Sequence, residues 1–172
     1  MQGIESILIR RALSAEAEWL QESYAKIGWA KPAGYFADCC HLQEQGKLVL
    51  LVAESDGRYL GHCKVIWEPH NPYFKENHIP ETQDLNVLGE RRRQGVATAL
   101  MDEAERLIGE RSALAGISFG LYADYGPAQR MYILRGYVPD GAGASYRDVY
   151  VKAGQSYPID DDFTLGLVKR LR

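Results

Sequence analysis

The sequence predicts an α/β fold of the α+β kind, and three observations lead to this prediction. Residues 48–53 form an apolar run and residues 59–67 have strand character, on either side of the turn Ser55-Asp56-Gly57-Arg58, which is the pattern of an antiparallel hairpin. Residues 93–108 place apolar side chains at the spacing of one helical face, with charged residues on the other. Further strand and helix patterns alternate with these along the chain.

The other elements follow from caps, breakers and changes of period. Ser14 is placed as the N-cap of a first helix that runs to about Lys26, and Gly46 ends a second helix. Pro127 suits the first turn of a helix over 127–135, and Gly136 suits the left-handed residue after it. The remaining predicted helix covers residues 35–45. The remaining predicted strands cover residues 7–11, 81–88, 116–122, 137–138, 146–151 and 163–171. Residues 68–80 are predicted to form a long loop, and a loop rich in Gly and Asp is expected between the closing strands.

Length and composition predict a single domain over 1–172. A net charge of −3 gives no general field for binding nucleic acid or an anionic membrane. No apolar run approaches the roughly 20 residues that span a bilayer, and we expect a cytoplasmic location. Cys39, Cys40 and Cys63 are expected to be reduced.

The segment from Asp84 to Leu100 carries the chemistry. A strand enters a short turn at Gly89-Glu90 and then a helix, so free backbone N–H groups converge at the positive end of the helix dipole. Gly95 and Ala97 allow a phosphate to approach the amides, and the arginines at 91–93 add charge-assisted contacts. The segment therefore predicts a site for a pyrophosphate.

These residues resemble the signature of the GNAT superfamily of N-acetyltransferases. Arg92, Gly95 and Ala97 occupy its fixed positions of Arg or Gln, Gly, and Gly or Ala. A second segment resembles the family's other hallmark, with its members at Ala128, Tyr132, Gly136 and Tyr137. The chain departs from the pattern at Gly89, where many members have Pro, and at Tyr125, where Asn is usual.

The resemblance implies a mixed, mostly antiparallel central sheet flanked by helices on both faces, with acetyl-CoA as co-substrate and no metal. It implies an N-acetyltransferase in which a primary amine, on a small molecule or a peptide, attacks directly in a ternary complex. It also implies that backbone N–H groups around Val87 and Leu88 stabilise the oxyanion. The residues expected to bind acetyl-CoA are Val87, Leu88, Arg92, Arg93, Gln94, Gly95, Val96, Ala97, Thr98 and Ala128.

Acyl transfer to an amine needs a base and an acid. An alkyl ammonium with a pKa of about 10.4 must lose a proton before it attacks, and a carboxylate is suited to accept it. The resemblance implies that Glu81 is the candidate base, since it aligns with a catalytic Glu of some family members, and Asp84 is in reserve. Three steps along a regular strand would point the two to opposite faces. A phenol is suited to protonate the leaving thiolate, and Tyr132 is the candidate acid.

Other readings of the sequence remain open. A non-catalytic acyl-CoA-binding module that regulates a partner would need the same phosphate site but no acid or base. His62, His70 and His78 lack zinc spacing, and the chain lacks the motifs of a P-loop or a dinucleotide fold. A homodimer is expected from frequency alone. Aromatic residues that either wall an acceptor pocket or pack in the core are Trp29, Tyr35, Phe36, Trp67, Tyr73 and Phe74.

Overall fold

A computed structural model describes residues 6–26, 28 and 31–172. The strands are β1 (Leu8–Arg11), β2 (Leu48–Ser55), β3 (Arg58–Ile66), β4 (Glu81–Val87), β5 (Leu114–Gly120), β6 (Val138–Tyr146), β7 (Val149–Tyr150) and β8 (Phe163–Arg170). The α-helices are α1 (Ala17–Ala25), α2 (Tyr35–Glu44), α3 (Pro72–Glu76), α4 (Val96–Gly109) and α5 (Gly126–Leu134). Trp29 lies outside the described residues.

The chain forms two compact units. The first comprises Met1–Ile66 and Gln83–Leu107, and the second comprises Trp67–Thr82 and Ile108–Arg172. Strand β4 and helix α4 each contribute residues to both units. The single domain over 1–172 stays a prediction.

The first unit contains the strand order β1-β2-β3-β4. Strand β2 is antiparallel to both β1 and β3. The β2–β3 hairpin closes through Asp56 and Gly57, whose φ angles of 48° and 73° are both left-handed. Two left-handed residues are what a two-residue hairpin turn requires, so the Asp-Gly pair predicts this turn correctly.

Helices α1 and α2 cover an apolar cluster in the first unit. Its members include Leu20 and Tyr24 from α1, Phe36 from α2, and Leu50 and Val52 from β2, all at most 2% exposed. The predicted start of the first helix differs from the structure, because Ser14–Glu16 form a separate 3-10 turn ahead of Ala17.

The second unit contains the strand order β4-β5-β8-β6-β7. Glu81 and Thr82 of β4 pair in parallel with β5, whereas the β5–β8, β8–β6 and β6–β7 pairs are antiparallel. A mixed, mostly antiparallel sheet with flanking helices is therefore confirmed as the fold class.

Two segments of the second unit correct the sequence prediction. The predicted loop at 68–80 contains helix α3, which begins because the Asn71 side chain accepts a hydrogen bond from Phe74 N at 3.1 Å and Pro72 fits the first turn. The expected Gly-rich loop after Tyr137 is largely strand β6. Its glycines Gly141 and Gly143 are left-handed and lie where the register with β8 shifts.

Helix α4 begins later than predicted. The apolar spacing suggested a start near Arg93, but Arg93 has φ +61° and Gly95 has φ +88°, so the helix begins at Val96. Helix α5 has Pro127 in its first turn, and Gly136 after it has φ +92°, both as predicted. In the described part of the chain, no helix has the length and apolar character needed to cross a membrane.

Candidate active site

The turn between β4 and α4 is held by its own hydrogen bonds. Arg91 N donates to Leu88 O at 2.8 Å and Arg92 N donates to Gly89 O at 3.3 Å, which forms a 3-10 turn over Gly89–Arg91. Gln94 Nε2 donates to Glu90 O at 2.9 Å. The segment therefore has internal hydrogen bonds that hold the turn.

The start of α4 presents backbone N–H groups. Its first i to i−4 bond runs from Ala99 N to Gly95 O at 2.9 Å. The N–H groups of Val96, Ala97 and Thr98 precede that bond and have no acceptor within the helix. Because these groups stand at the positive end of a helix of 14 residues, they suit an anion.

Gly95 has a specific conformational role in this turn. Its φ of +88° lies in the region that residues with a Cβ avoid, although no atom lies within 4 Å of the position a Cβ would take. The sequence suggested that Gly95 is needed for close approach of a phosphate. The structure adds a second reason for glycine, because any residue with a Cβ would be strained in the conformation by which the chain enters α4.

Side chains around the turn divide between core and surface. Val96 is 2% exposed, and Leu100 and Ala104 of the same helical face are fully buried, so they hold the helix start in place. Arg92, Arg93, Gln94, Gly95 and Thr98 are exposed, and Ala97 is half-buried. Arg92 and Arg93 are therefore exposed cations within a few residues of these N–H groups in the chain. We call residues 89–98 the phosphate cradle.

Val87 and Leu88 differ in what their backbones can do. Leu88 N donates to Leu60 O of β3 at 2.9 Å, so this N–H is engaged within the first unit. Neighbouring N–H groups of an extended chain point to opposite sides, so the N–H of Val87 faces away from β3. Of the two predicted oxyanion donors, only Val87 has an N–H directed away from that pairing.

Asp84 is the centre of a partly buried polar cluster in the first unit. Its carboxylate accepts hydrogen bonds from Lys31 Nζ at 2.6 Å, Asn86 Nδ2 at 2.7 Å, His62 Nε2 at 3.1 Å and the hydroxyl of Tyr35. Burial by itself would raise the pKa of Asp84, but the hydrogen bond from His62 and the charge and hydrogen bond of Lys31 outweigh it and hold the pKa below its usual range. A carboxylate in this state is a weak base, which argues against Asp84 as the reserve base.

The backbone at Asp84 is also unusual. Its φ is +56°, which is rare for a residue other than Gly and interrupts the regular geometry of β4. The argument that Glu81 and Asp84 point to opposite faces assumed an unbroken strand. Because the strand is interrupted at Asp84, that argument does not apply.

Glu81, Ala128 and Tyr132 lie in the second unit. Glu81 is 3% exposed and pairs with Gly116 of β5. Ala128 is half-buried in the first turns of α5. Tyr132 is 5% exposed, its ring stacks on Phe119 with centroids 6.5 Å apart, and its carbonyl accepts from Tyr137 N at 3.1 Å.

The Asp84 cluster brings together residues that the sequence did not assign to a site. Lys31 and Asp84 are separated by 53 positions and His62 and Asp84 by 22, and no spacing motif connects them. His62 was considered only within a metal pattern. The one available signal was a His and a Lys near otherwise apolar segments.

Cysteine and aromatic residues have mainly packing roles. Cys39, Cys40 and Cys63 are buried and form no disulfide, and burial raises the pKa of the Cys63 thiol. Among residues 6–26, 28 and 31–172, no three His, Cys, Asp or Glu side chains are placed to share a metal ion. Phe36 and Phe74 are fully buried, so they belong to the core.

Comparison with known proteins places the chain in a family. Residues 9–137 match the model of the acetyltransferase (GNAT) family. Because this match covers most of the sequence, the chain belongs to the GNAT acetyltransferase family. No curated protein matches it significantly.

Solved structures share the fold at low sequence identity. An N-acetyltransferase from Staphylococcus aureus Mu50 has a TM-score of 0.70 and 15% identity, over 97% of this chain and 99% of its own. The yncA protein from Salmonella typhimurium, solved with its cofactor acetyl-CoA, has a TM-score of 0.64 and 16% identity, over 96% and 94%. A spermidine N-acetyltransferase chimera from Vibrio cholerae and hSSAT has a TM-score of 0.65 and 11% identity, over 96% and 95%.

The phosphate cradle has features suited to a pyrophosphate. These are backbone N–H groups at the start of a long helix, a left-handed glycine with open space beside it, and two exposed arginines. These features are observed in the chain itself and agree with its family membership.

Proposed function

We propose that the chain is an N-acetyltransferase that moves the acetyl group of acetyl-CoA to a primary amine on a small molecule or peptide. The observation that carries this proposal is the phosphate cradle at the start of α4. Acetyl-CoA supplies an acetyl group activated as a thioester, so the chain needs neither a covalent nucleophile nor a metal. The amine attacks directly while both substrates are bound.

The cradle residues bind and orient the cofactor. The N–H groups of Val96, Ala97 and Thr98 hold phosphate oxygens, and Arg92 and Arg93 add charge-assisted bonds. Gln94 fixes the turn through Glu90, and Gly95 gives it its shape. Leu88 anchors the end of β4 to β3, and Ala128 at the start of α5 is a further proposed contact of the cofactor.

Three groups handle charge and protons in the proposed reaction. The N–H of Val87 stabilises negative charge that develops on the acetyl oxygen. Glu81 accepts a proton from the acceptor amine, because an ammonium cannot attack. The hydroxyl of Tyr132 donates a proton to the departing thiolate; its Tyr identity and its place four residues after Ala128 support this role.

Amines are the acceptor class that the chain's charge favours. The net charge of −3 suits a cationic acceptor, and one structural neighbour is a spermidine N-acetyltransferase. We further propose that the chain acts in the cytoplasm as a single domain, in a homodimer, without nucleic acid or membrane partners. Acetyl-CoA and the amine are then its only small-molecule partners.

Release of coenzyme A from acetyl-CoA tests this function. A thiol-reactive dye reports the released thiol, and the chain's own cysteines contribute little signal because all three are buried. We expect some primary amine, in a panel of polyamines, aminoglycosides and lysine peptides, to raise release above hydrolysis. If none does while acetyl-CoA still binds, the chain is a non-catalytic acyl-CoA-binding module instead.

A further inference from the structure

The ammonium group of Lys31 lies in an environment built for a cation. Its Nζ atom is 2.6 Å from Oδ1 of Asp84, 4.7 Å from the ring centroid of Tyr35 and 5.4 Å from that of Tyr24. A carboxylate combined with two aromatic faces is the arrangement that recognises alkylammonium ions. All of these residues belong to the first unit.

Neutral donors hold the Asp84 carboxylate in place. Tyr35 donates through its hydroxyl to Oδ2, and Asn86 donates to Oδ1. His62 is fully buried, burial lowers its pKa in spite of the bond to Asp84, and its Nδ1 lies 2.6 Å from the hydroxyl of Tyr59. A neutral His62 therefore donates to Asp84 and accepts from Tyr59.

The charge balance of this cluster depends on Lys31. With Tyr35, Asn86 and a neutral His62 as donors, the carboxylate keeps one negative charge, which the Lys31 ammonium offsets. A largely buried carboxylate without a counter-charge is unfavourable, so a cation at this position stabilises the cluster. The side chains of Asp84 and Lys31 are 12% and 20% exposed, so solvent reaches the pair.

We infer that Asp84, Tyr24 and Tyr35 form a binding site for the second ammonium group of a diamine or polyamine acceptor, and that Lys31 fills this site until the acceptor replaces it. The assignment of the ligand as an acceptor rests on the proposed function. The terminal –CH2–NH3⁺ of such a ligand is chemically the same as the end of a lysine side chain. The exchange therefore conserves charge, hydrogen bonds and both aromatic contacts.

The bound nitrogen cannot be the one that reacts. An ammonium paired with a carboxylate has its protonated form stabilised, whereas the attacking nitrogen must lose its proton. Asp84 stands three residues before Val87 on β4, which corresponds to at most about 10 Å of extended chain. The acceptor thus needs two amino groups joined by a short spacer.

Lys64 adds a second cation near the site. Its Nζ lies 5.0 Å from the centroid of the Tyr35 ring, and Lys64 does not donate to Asp84. The ammonium group of the ligand would therefore share the Tyr35 ring with the charge of Lys64.

Chemical rescue tests the ammonium site without any acyl transfer. In Lys31→Ala, n-butylammonium should raise Tm by about 2–4 °C with a saturating dependence on concentration, whereas n-butanol should not. Wild type, whose site is filled by Lys31, should show no such rise, and Lys31→Ala/Asp84→Asn should also show none. Lys31→Gln, which keeps a neutral donor, serves if Lys31→Ala does not fold. Equal responses of wild type, the single variant and the double variant would overturn the site.

Acceptor kinetics test the ligand. Wild type should use 1,4-diaminobutane with a kcat/KM at least about tenfold above that for n-butylamine. Lys31→Ala should lower the KM for the diamine by about tenfold, because the Lys31 side chain no longer competes for the site. Asp84→Asn should abolish the preference for the diamine. An unchanged preference in Asp84→Asn overturns the proposal. Rescue without transfer to any amine would support the ammonium site but reject the proposed function. Transfer to amines without rescue would support the proposed function but reject the ammonium site.

Discussion

Gly61 of β3 lies against the backbone of Asn86 in β4, so closely that a Cβ on Gly61 would be 2.4 Å from the carbonyl oxygen of Asn86 and 3.2 Å from Cα of Val87. No real Cβ makes contacts this short with backbone, and the backbone cannot rotate away as a side chain could. The proposed oxyanion donor, Val87, thus has its position fixed partly by the absence of a side chain at Gly61.

Replacing Gly61 with alanine should therefore destabilise the chain. We expect the free energy of unfolding to fall by about 1–3 kcal/mol because the methyl group forces β3 and β4 apart. Urea denaturation measures the change. Gly126→Ala is the matched control, since Gly126 is helical with open space beside it, and it should be neutral or slightly stabilising. Equal stabilities of the two variants would mean that the approach of β3 to β4 is not constrained by Gly61.

His62 should give the chain a stability that depends on pH. Burial lowers the pKa of His62 in the folded state, whereas an unfolded His titrates near about 6.5. Below about pH 6.5 the unfolded chain thus binds more protons than the folded chain. The free energy of unfolding therefore decreases as the pH decreases. Asp84, whose folded pKa is lowered, adds a second loss as the pH falls through about 4.

Denaturation between pH 7 and 5 tests the contribution of His62. His62→Gln keeps a donor for Asp84 and an acceptor for Tyr59 but cannot titrate, so the slope of stability against pH should flatten. His70→Gln, at an exposed position, should keep the wild-type slope. A His62→Gln slope equal to that of wild type would show that the imidazole does not couple to folding.

Glu81→Gln should reduce acyl transfer at neutral pH by about a hundredfold, because the amine loses its proton acceptor. The deficit should shrink as the pH approaches about 10.4, where the amine is already neutral. Rates across the pH range provide the measurement, and Glu76→Gln, which changes an exposed carboxylate of the second unit, provides the control. A deficit that is constant with pH would assign Glu81 a structural role.

Tyr132→Phe should lower kcat by about a hundredfold while the ring keeps its stacking on Phe119. The deficit should diminish above about pH 8.5, where a thiolate leaves without a proton. The free energy of unfolding of Tyr132→Phe should differ from that of wild type by no more than about 1 kcal/mol. Tyr150→Phe, which removes a hydroxyl bonded to Glu76, should retain activity. Wild-type turnover by Tyr132→Phe would remove Tyr132 from the proton-transfer path.

Local signals made part of this structure predictable. The Asp-Gly turn of the hairpin, Pro127 and Gly136 around α5, and the apolar face of α4 all depend on neighbouring residues, and each agrees with the structure. Helix α3 was missed although Asn71 and Pro72 mark its start, because the segment is too short for a periodic pattern.

The long-range features could not be read from spacing. The left-handed conformation of Asp84 could not be predicted, since Asp adopts it only occasionally and no turn motif marks this position. The pairing of Lys31 with Asp84 joins positions 53 apart through the tertiary fold. The order of strand, turn and helix around residues 89–98 could be predicted because one continuous segment contains it, and the phosphate site there stays a prediction.

Calorimetry of coenzyme A binding at near-physiological salt tests the proposed function most directly. Wild type should take up CoA, and Gly95→Glu should weaken the affinity at least about a hundredfold, since it strains a left-handed residue and sets a carboxylate against the diphosphate. Gly46→Glu is the matched control, because Gly46 is also left-handed with open space beside it but lies after α2. It should bind as wild type does. No uptake by wild type, or equal uptake by Gly95→Glu, would contradict the phosphate cradle and the acetyltransferase function that depends on it.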